Sequence, residues 1–99
     1  MYTKKIADIV FFDSIEIGHS VEFQICINAN LFETFTNLTG DLNPIHTDDS
    51  FASSFGYKSR VVHGMLISSF LSTLVGMYLP GRFAILHQIK ISFNNPVFR

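Results

Sequence analysis

Gly64-Met65-Leu66-Ile67-Ser68-Ser69-Phe70-Leu71-Ser72-Thr73-Leu74-Val75-Gly76-Met77-Tyr78 contains no acidic or basic residue and no proline. An apolar run of this length without a breaker reads as one helix, roughly Gly64 to Tyr78, stopped by Pro80-Gly81. Gly64, Ser68, Ser72 and Gly76 recur at four-residue spacing, so small side chains line one narrow stripe. The remaining faces are apolar, and a helix that is apolar nearly all round has to be wrapped by other parts of the protein. A curved sheet folded round a central helix does this. The competing reading is a membrane span, since Val61 to Leu79 is long enough to cross a bilayer. Ser68, Ser69, Ser72 and Thr73 are frequent for a lone span, and no second span exists, so a buried helix in a soluble domain is the expectation.

Outward from that helix, Val21, Phe23, Ile25 and Ile27 alternate with Glu22, Gln24, Cys26 and Asn28. That is the period of a half-buried strand, within an extended stretch from Ile15 to Asn28, and it puts Cys26 on the polar face. Ala84 to Phe93 reads as a second strand, broken by Asn94-Asn95-Pro96. Leu31 to Leu38 reads as a short helix with Asn30 as its N-cap. Asn43-Pro44 suits the N-cap and first position of a further helix; a start at Thr47, running through Phe51 to Phe55, competes, and Gly56 ends either one.

The 99 residues suffice for one domain, residues 1–99. With 47% hydrophobic residues, eleven of them Phe, the chain has material for a core and is unlike a disordered segment. Seven basic residues against eight acidic, with no basic stripe, argue against a nucleic-acid partner. The single cysteine excludes an internal disulfide and fits a reducing, cytoplasmic setting. At the N-terminus, Lys4-Lys5 precede an apolar run that Asp8 interrupts and Asp13 ends, which is not a signal-peptide pattern.

The stretch that carries chemistry is Phe35-Thr36-Asn37-Leu38-Thr39-Gly40-Asp41-Leu42-Asn43-Pro44-Ile45-His46. Gly40 permits a turn before a carboxylate, and Pro44 holds Asn43 extended, bending the chain between Asp41 and His46. Their side chains can then converge on one water, an arrangement suited to acid–base catalysis. If a helix starts at Pro44, its positive end favours neutral His46. Taken alone, the pair is weak evidence, and an Asp-rich capping loop with an incidental histidine is the favoured reading. His19 and His87 read as surface residues, and His63, beside Gly64, as shaping the helix start. The four histidines are too scattered to suggest a metal site. Asp48 and Asp49 read as helix-end charges.

This stretch resembles the hydratase motif of MaoC-like, (R)-specific enoyl thioester hydratases: an aromatic, an aliphatic and a small residue, then Gly-Asp-x-Asn-Pro-aliphatic-His, with small Ala52 following. Val61-Val62-His63-Gly64-Met65-Leu66, Leu79-Pro80-Gly81, and Ile91-Ser92-Phe93 through Pro96-Val97-Phe98 are similar to later blocks of that family, in order, so the likeness covers about residues 12–99. The resemblance implies an α+β hot-dog fold, a curved antiparallel sheet around one long helix. It implies water addition to a trans-2-enoyl thioester of coenzyme A or acyl carrier protein, or the reverse, without metal or redox cofactor. On this resemblance Asp41 and His46 hold the catalytic water, Gly64 offers a backbone N–H to the thioester oxygen, Asn43 fixes the loop and Ser72 lies near the pair. Which of Asp41 and His46 takes the first proton stays open. Family domains continue past the Pro-Val-aromatic block with more strands, whereas this chain stops at Arg99. The expectation is a partial domain, a homodimer or a chain completed by a partner, with Val62, Leu66, Phe70, Leu74 and Met77 partly exposed. A non-catalytic thioester-binding or dimerisation module is the rival reading.

Overall fold

The structure, a computed structural model, describes residues 6–98; Lys4-Lys5 and Arg99 lie outside them. The chain separates into two units, Met1–Cys26 with Ser68–Ile91, and Ile27–Ile67 with Ser92–Arg99.

The second unit is built on three helices, each started by a side-chain cap. Helix α1 runs Ala29–Thr39, with Asn28 accepting a hydrogen bond from the Leu31 N–H at 2.9 Å. The expected cap was Asn30; Asn28 takes the role because it is still extended (φ −108°, ψ 176°) and its carboxamide faces the first free N–H groups. Gly40 ends α1 at φ 73°, a left-handed conformation that glycine adopts without strain, and its N–H closes on the Thr36 carbonyl at 2.8 Å. Helix α2 is Pro44–Thr47, capped by Asn43 with Pro44 in its first turn. Helix α3 is Asp49–Ser54, capped by Asp48, which accepts from the Ser50 and Phe51 N–H groups at 2.9 and 3.1 Å. Both competing helix starts are therefore realised in part, with Thr47 closing α2 rather than opening α3. Asp49 accepts from the Arg60 backbone N–H at 2.9 Å and lies 3.3 Å from the Arg60 guanidinium, so both aspartates do structural work.

Helix α4 begins at Gly64, as expected, but is α-helical only to Thr73; Leu74–Tyr78 continues it as a π-helical segment. The four-residue stripe is thus α-helical from Gly64 to Ser72 only. Among the described residues no helix is long and apolar enough to cross a membrane.

Phe32, Ala52, Val62 and Leu66 form the buried apolar core. This corrects the expectation that Val62 and Leu66 stay partly exposed: they are 2% and 3% exposed, while Phe70, Leu74 and Met77 are half-buried. Val62 is held by its N–H on the Val97 carbonyl at 2.8 Å, and Val61 pairs with Phe98 in an isolated antiparallel bridge.

In the first unit Phe12–Ser14 forms a 3₁₀ turn that the sequence reading missed. A turn at Ile17–Gly18, with the His19 N–H on the Glu16 carbonyl at 3.0 Å, interrupts the stretch expected to be extended from Ile15. Beyond it the alternation holds: Val21, Phe23 and Ile25 are half-buried between exposed Glu22, Gln24 and Cys26. Phe23 stacks on Tyr78 with ring centroids 5.4 Å apart. Neither this segment nor Ala84 to Phe93 is a strand among the described residues. The physical reason is that a period-2 pattern specifies which side chains face inward, whereas a strand also needs a neighbouring backbone to bond to.

Candidate active site

The loop between α1 and α2 is folded by its own polar groups. The Thr39 hydroxyl donates to the Phe35 carbonyl at 2.9 Å and accepts the Asp41 N–H at 3.3 Å. Asp41 Oδ1 accepts from the Asn43 N–H at 3.2 Å, and Asn43 Oδ1 from the Ile45 N–H at 3.0 Å. One carboxylate oxygen of Asp41 is therefore occupied by the turn, leaving Oδ2 to face His46.

His46 is fixed from the opposite side. Its Nδ1 lies 2.7 Å from the Val61 carbonyl, and the Val61 N–H bonds back to the Ile45 carbonyl at 3.0 Å. A carbonyl only accepts, so Nδ1 carries the proton, and in neutral imidazole Nε2 then presents a lone pair. Nε2 stands 3.7 Å from Asp41 Oδ2, too far for a direct hydrogen bond and right for two groups that share one water. The His46 side chain is 16% exposed and that of Asp41 45%, so solvent reaches the pair through the carboxylate. The expected influence of a helix end on His46 loses its basis, because α2 is a single turn whose two ends are equally near.

His63, 2% exposed, packs against this pair. Its ring stacks on that of His46 with centroids 3.9 Å apart and planes 27° from parallel, and Phe32 and Phe35 wall it at 4.8 and 4.9 Å. Its Nε2 lies 3.2 Å from the Asp41 carbonyl oxygen. Histidines that looked scattered in the sequence thus meet at this corner: folding, not spacing, brings residues 46 and 63 together. Asp41, His46 and His63 offer ligand atoms within 4.8 Å of one another. Near-parallel rings nevertheless aim their lone pairs side by side. An ion bound in the plane of one, at roughly 2.1 Å, stands well out of the plane of the other. The geometry suits a stack.

Asp41, His46, His63 and Gly64 line an open cleft of about 510 Å³, together with Val61, Phe93 and the Asn94–Val97 segment. Gly64 opens α4, and a Cβ placed there would meet the Phe93 ring at 2.8 Å, so any larger residue would displace that exposed ring from the cleft wall. Asn43 caps α2 as described. Ser72 falls in the first unit, where it is exposed. His19 and His87 are both exposed. The structure adds Phe93 to the cleft wall and sets His63 against the pair; the signals for His63 in the sequence were its adjacency to Gly64 and its place in the Val61–Leu66 block.

Residues 13–99 match the family described as MaoC like domain. The chain belongs to the MaoC-like family. Among curated relatives, the MaoC-like chain is 36% identical over 85 residues to an (R)-specific enoyl-CoA hydratase of Aeromonas caviae, covering 86% of this chain and 63% of that protein. It is 33% identical over 87 residues to an (R)-specific enoyl-CoA hydratase of Rhodospirillum rubrum, covering 88% and 60%. A solved (R)-hydratase from A. caviae involved in PHA biosynthesis superposes with a TM-score of 0.62 at 40% identity, over 68% of this chain and 51% of that one. The chain thus spans about three fifths of the length of those curated relatives.

Proposed function

We propose that this MaoC-like domain adds water to a trans-2-enoyl thioester to give the (R)-3-hydroxyacyl thioester, or catalyses the reverse dehydration. The observation that carries the reading is the pair itself: Asp41 Oδ2 and His46 Nε2 are 3.7 Å apart, with His46 Nδ1 tied to the Val61 carbonyl. Likeness to hydratases acting on enoyl-CoA supports coenzyme A as the carrier, with acyl carrier protein the other candidate. A hot-dog arrangement of the complete domain, formed as a homodimer or with strands from a complementing chain, is part of the same proposal.

In this reading the water between the two side chains loses a proton to His46 Nε2 as its oxygen bonds to C3. The same proton passes to C2, so one water is consumed and both fragments arrive from one face. Asp41 orients the water and faces the imidazolium while it exists. Negative charge builds on the thioester oxygen, and the Gly64 backbone N–H at the start of α4 is the proposed donor to it. No metal or redox group enters this reaction, and the cytoplasm is the proposed setting. Loss of the enoyl absorbance of crotonyl-coenzyme A on adding the purified protein tests the proposal. Binding of the thioester without turnover would instead favour a non-catalytic module.

A further inference from the structure

We infer that His63 is a positioning residue for the Asp41–His46 pair, acting through the hydrogen bond from its Nε2–H to the Asp41 carbonyl; this rests on the hydratase reading of the same site. The bond spans 3.2 Å and ties the residue just before α4 to the loop that carries the carboxylate. The ring also stacks on His46 at 3.9 Å, so one side chain touches both members of the pair. His46 is thereby held on two sides, by Val61 at Nδ1 and by the His63 face.

The decisive observation is what histidine costs at this position. His63 Nδ1 is buried and has no hydrogen-bond partner. An unsatisfied buried acceptor destabilises the folded state, and a phenylalanine of similar shape would remove that penalty. Phe32 and Phe35 already surround the ring, so the pocket accepts apolar aromatic surface. Packing alone therefore favours Phe, and only the Nε2–H donor distinguishes histidine. That donor has one partner within reach, the backbone of the residue whose carboxylate faces His46. A shift of that backbone by about an ångström alters the 3.7 Å separation that the proposed water bridges, and misplacement on that scale can cost on the order of 10²-fold in rate.

The test compares His63→Phe, which keeps the ring and loses the donor, with His63→Gln, whose amide N–H reaches the position of Nε2. Steady-state kinetics on crotonyl-coenzyme A, thermal melting, and NMR relaxation of the Asp41 and Leu42 backbone amides are measured on the full chain. For His63→Phe we expect kcat to fall on the order of 10- to 100-fold with KM little changed, while the protein melts at or above the parent temperature. Amide mobility at 41–42 should rise. His63→Gln should recover most of the lost kcat and restore the rigid amides. Parent-like kcat in His63→Phe, or a Gln variant no better than Phe in both kcat and amide rigidity, overturns the inference. Should the parent show no turnover, the hydratase reading fails, and the amide measurements alone still decide whether His63 holds the loop.

Discussion

The two units solve the same problem of apolar surface in opposite ways. In Ile27–Ile67 with Ser92–Arg99, three consecutive helices each start on an Asn or Asp cap, and all four buried core residues, Phe32, Ala52, Val62 and Leu66, lie there. In Met1–Cys26 with Ser68–Ile91, Gly81 is the buried residue among those described, while Ile17, Phe83, Ile85 and Leu86 stand exposed. The difference teaches that cap chemistry is local: a side chain satisfies N–H groups two or three residues on and needs nothing from afar. A strand-forming segment needs another backbone beside it, and its apolar side chains need a second layer.

The largest effect should come from the chemistry of the second unit. Asp41→Asn and His46→Gln should each lower turnover by roughly 10²–10⁴-fold, while binding of a saturated acyl thioester changes little. Near-normal turnover in either variant, read from single-turnover rates, sinks the assignment. Next comes the core. Leu66→Ala should cost about 2–5 kcal/mol in urea unfolding, whereas Leu86→Ala, at a side chain 50% exposed, should cost well under that. Equal losses would erase the contrast between the units. A smaller change is expected at a cap: Asp48→Ala should destabilise by about 0.5–2 kcal/mol, with the Ser50 and Phe51 amides exchanging faster than those of α1. Uniform exchange would show that α3 does not depend on its cap.

The smallest effects on stability belong to exposed positions of the first unit. Ile85→Lys should leave the unfolding free energy within roughly 0.5 kcal/mol yet reduce self-association in sedimentation, because it breaks an exposed apolar run. Ser72→Leu should also leave stability nearly unchanged; if Ser72 lies near the catalytic pair, as the resemblance implies, turnover should drop. Unaltered kinetics in a folded Ser72→Leu protein removes Ser72 from the site.

Much of the second unit was legible in residues alone. Asn43-Pro44 marks the start of α2, Gly40 a turn before Asp41 that the structure makes the end of α1, and Gly64 the start of α4, because each depends on contacts within a turn or two. The spacing of Asp41 and His46 around Pro44 allowed the pair to converge but did not require it, and the fold brings the two side chains to 3.7 Å. The alternation from Val21 to Cys26 correctly told inside from outside. Three things were decided only by the tertiary structure. The choice of Asn28 over Asn30 turns on which residue remains extended. The proton on His46 Nδ1 follows from the Val61 carbonyl, fifteen residues away in sequence. The stack of His63 on His46, and its reach to the Asp41 carbonyl, exist because the residue just before α4 is folded against the loop. Periodicity and caps report interactions between near neighbours in the chain, whereas a tautomer or a stack is set by whichever group, however distant in sequence, the fold brings to within hydrogen-bonding range.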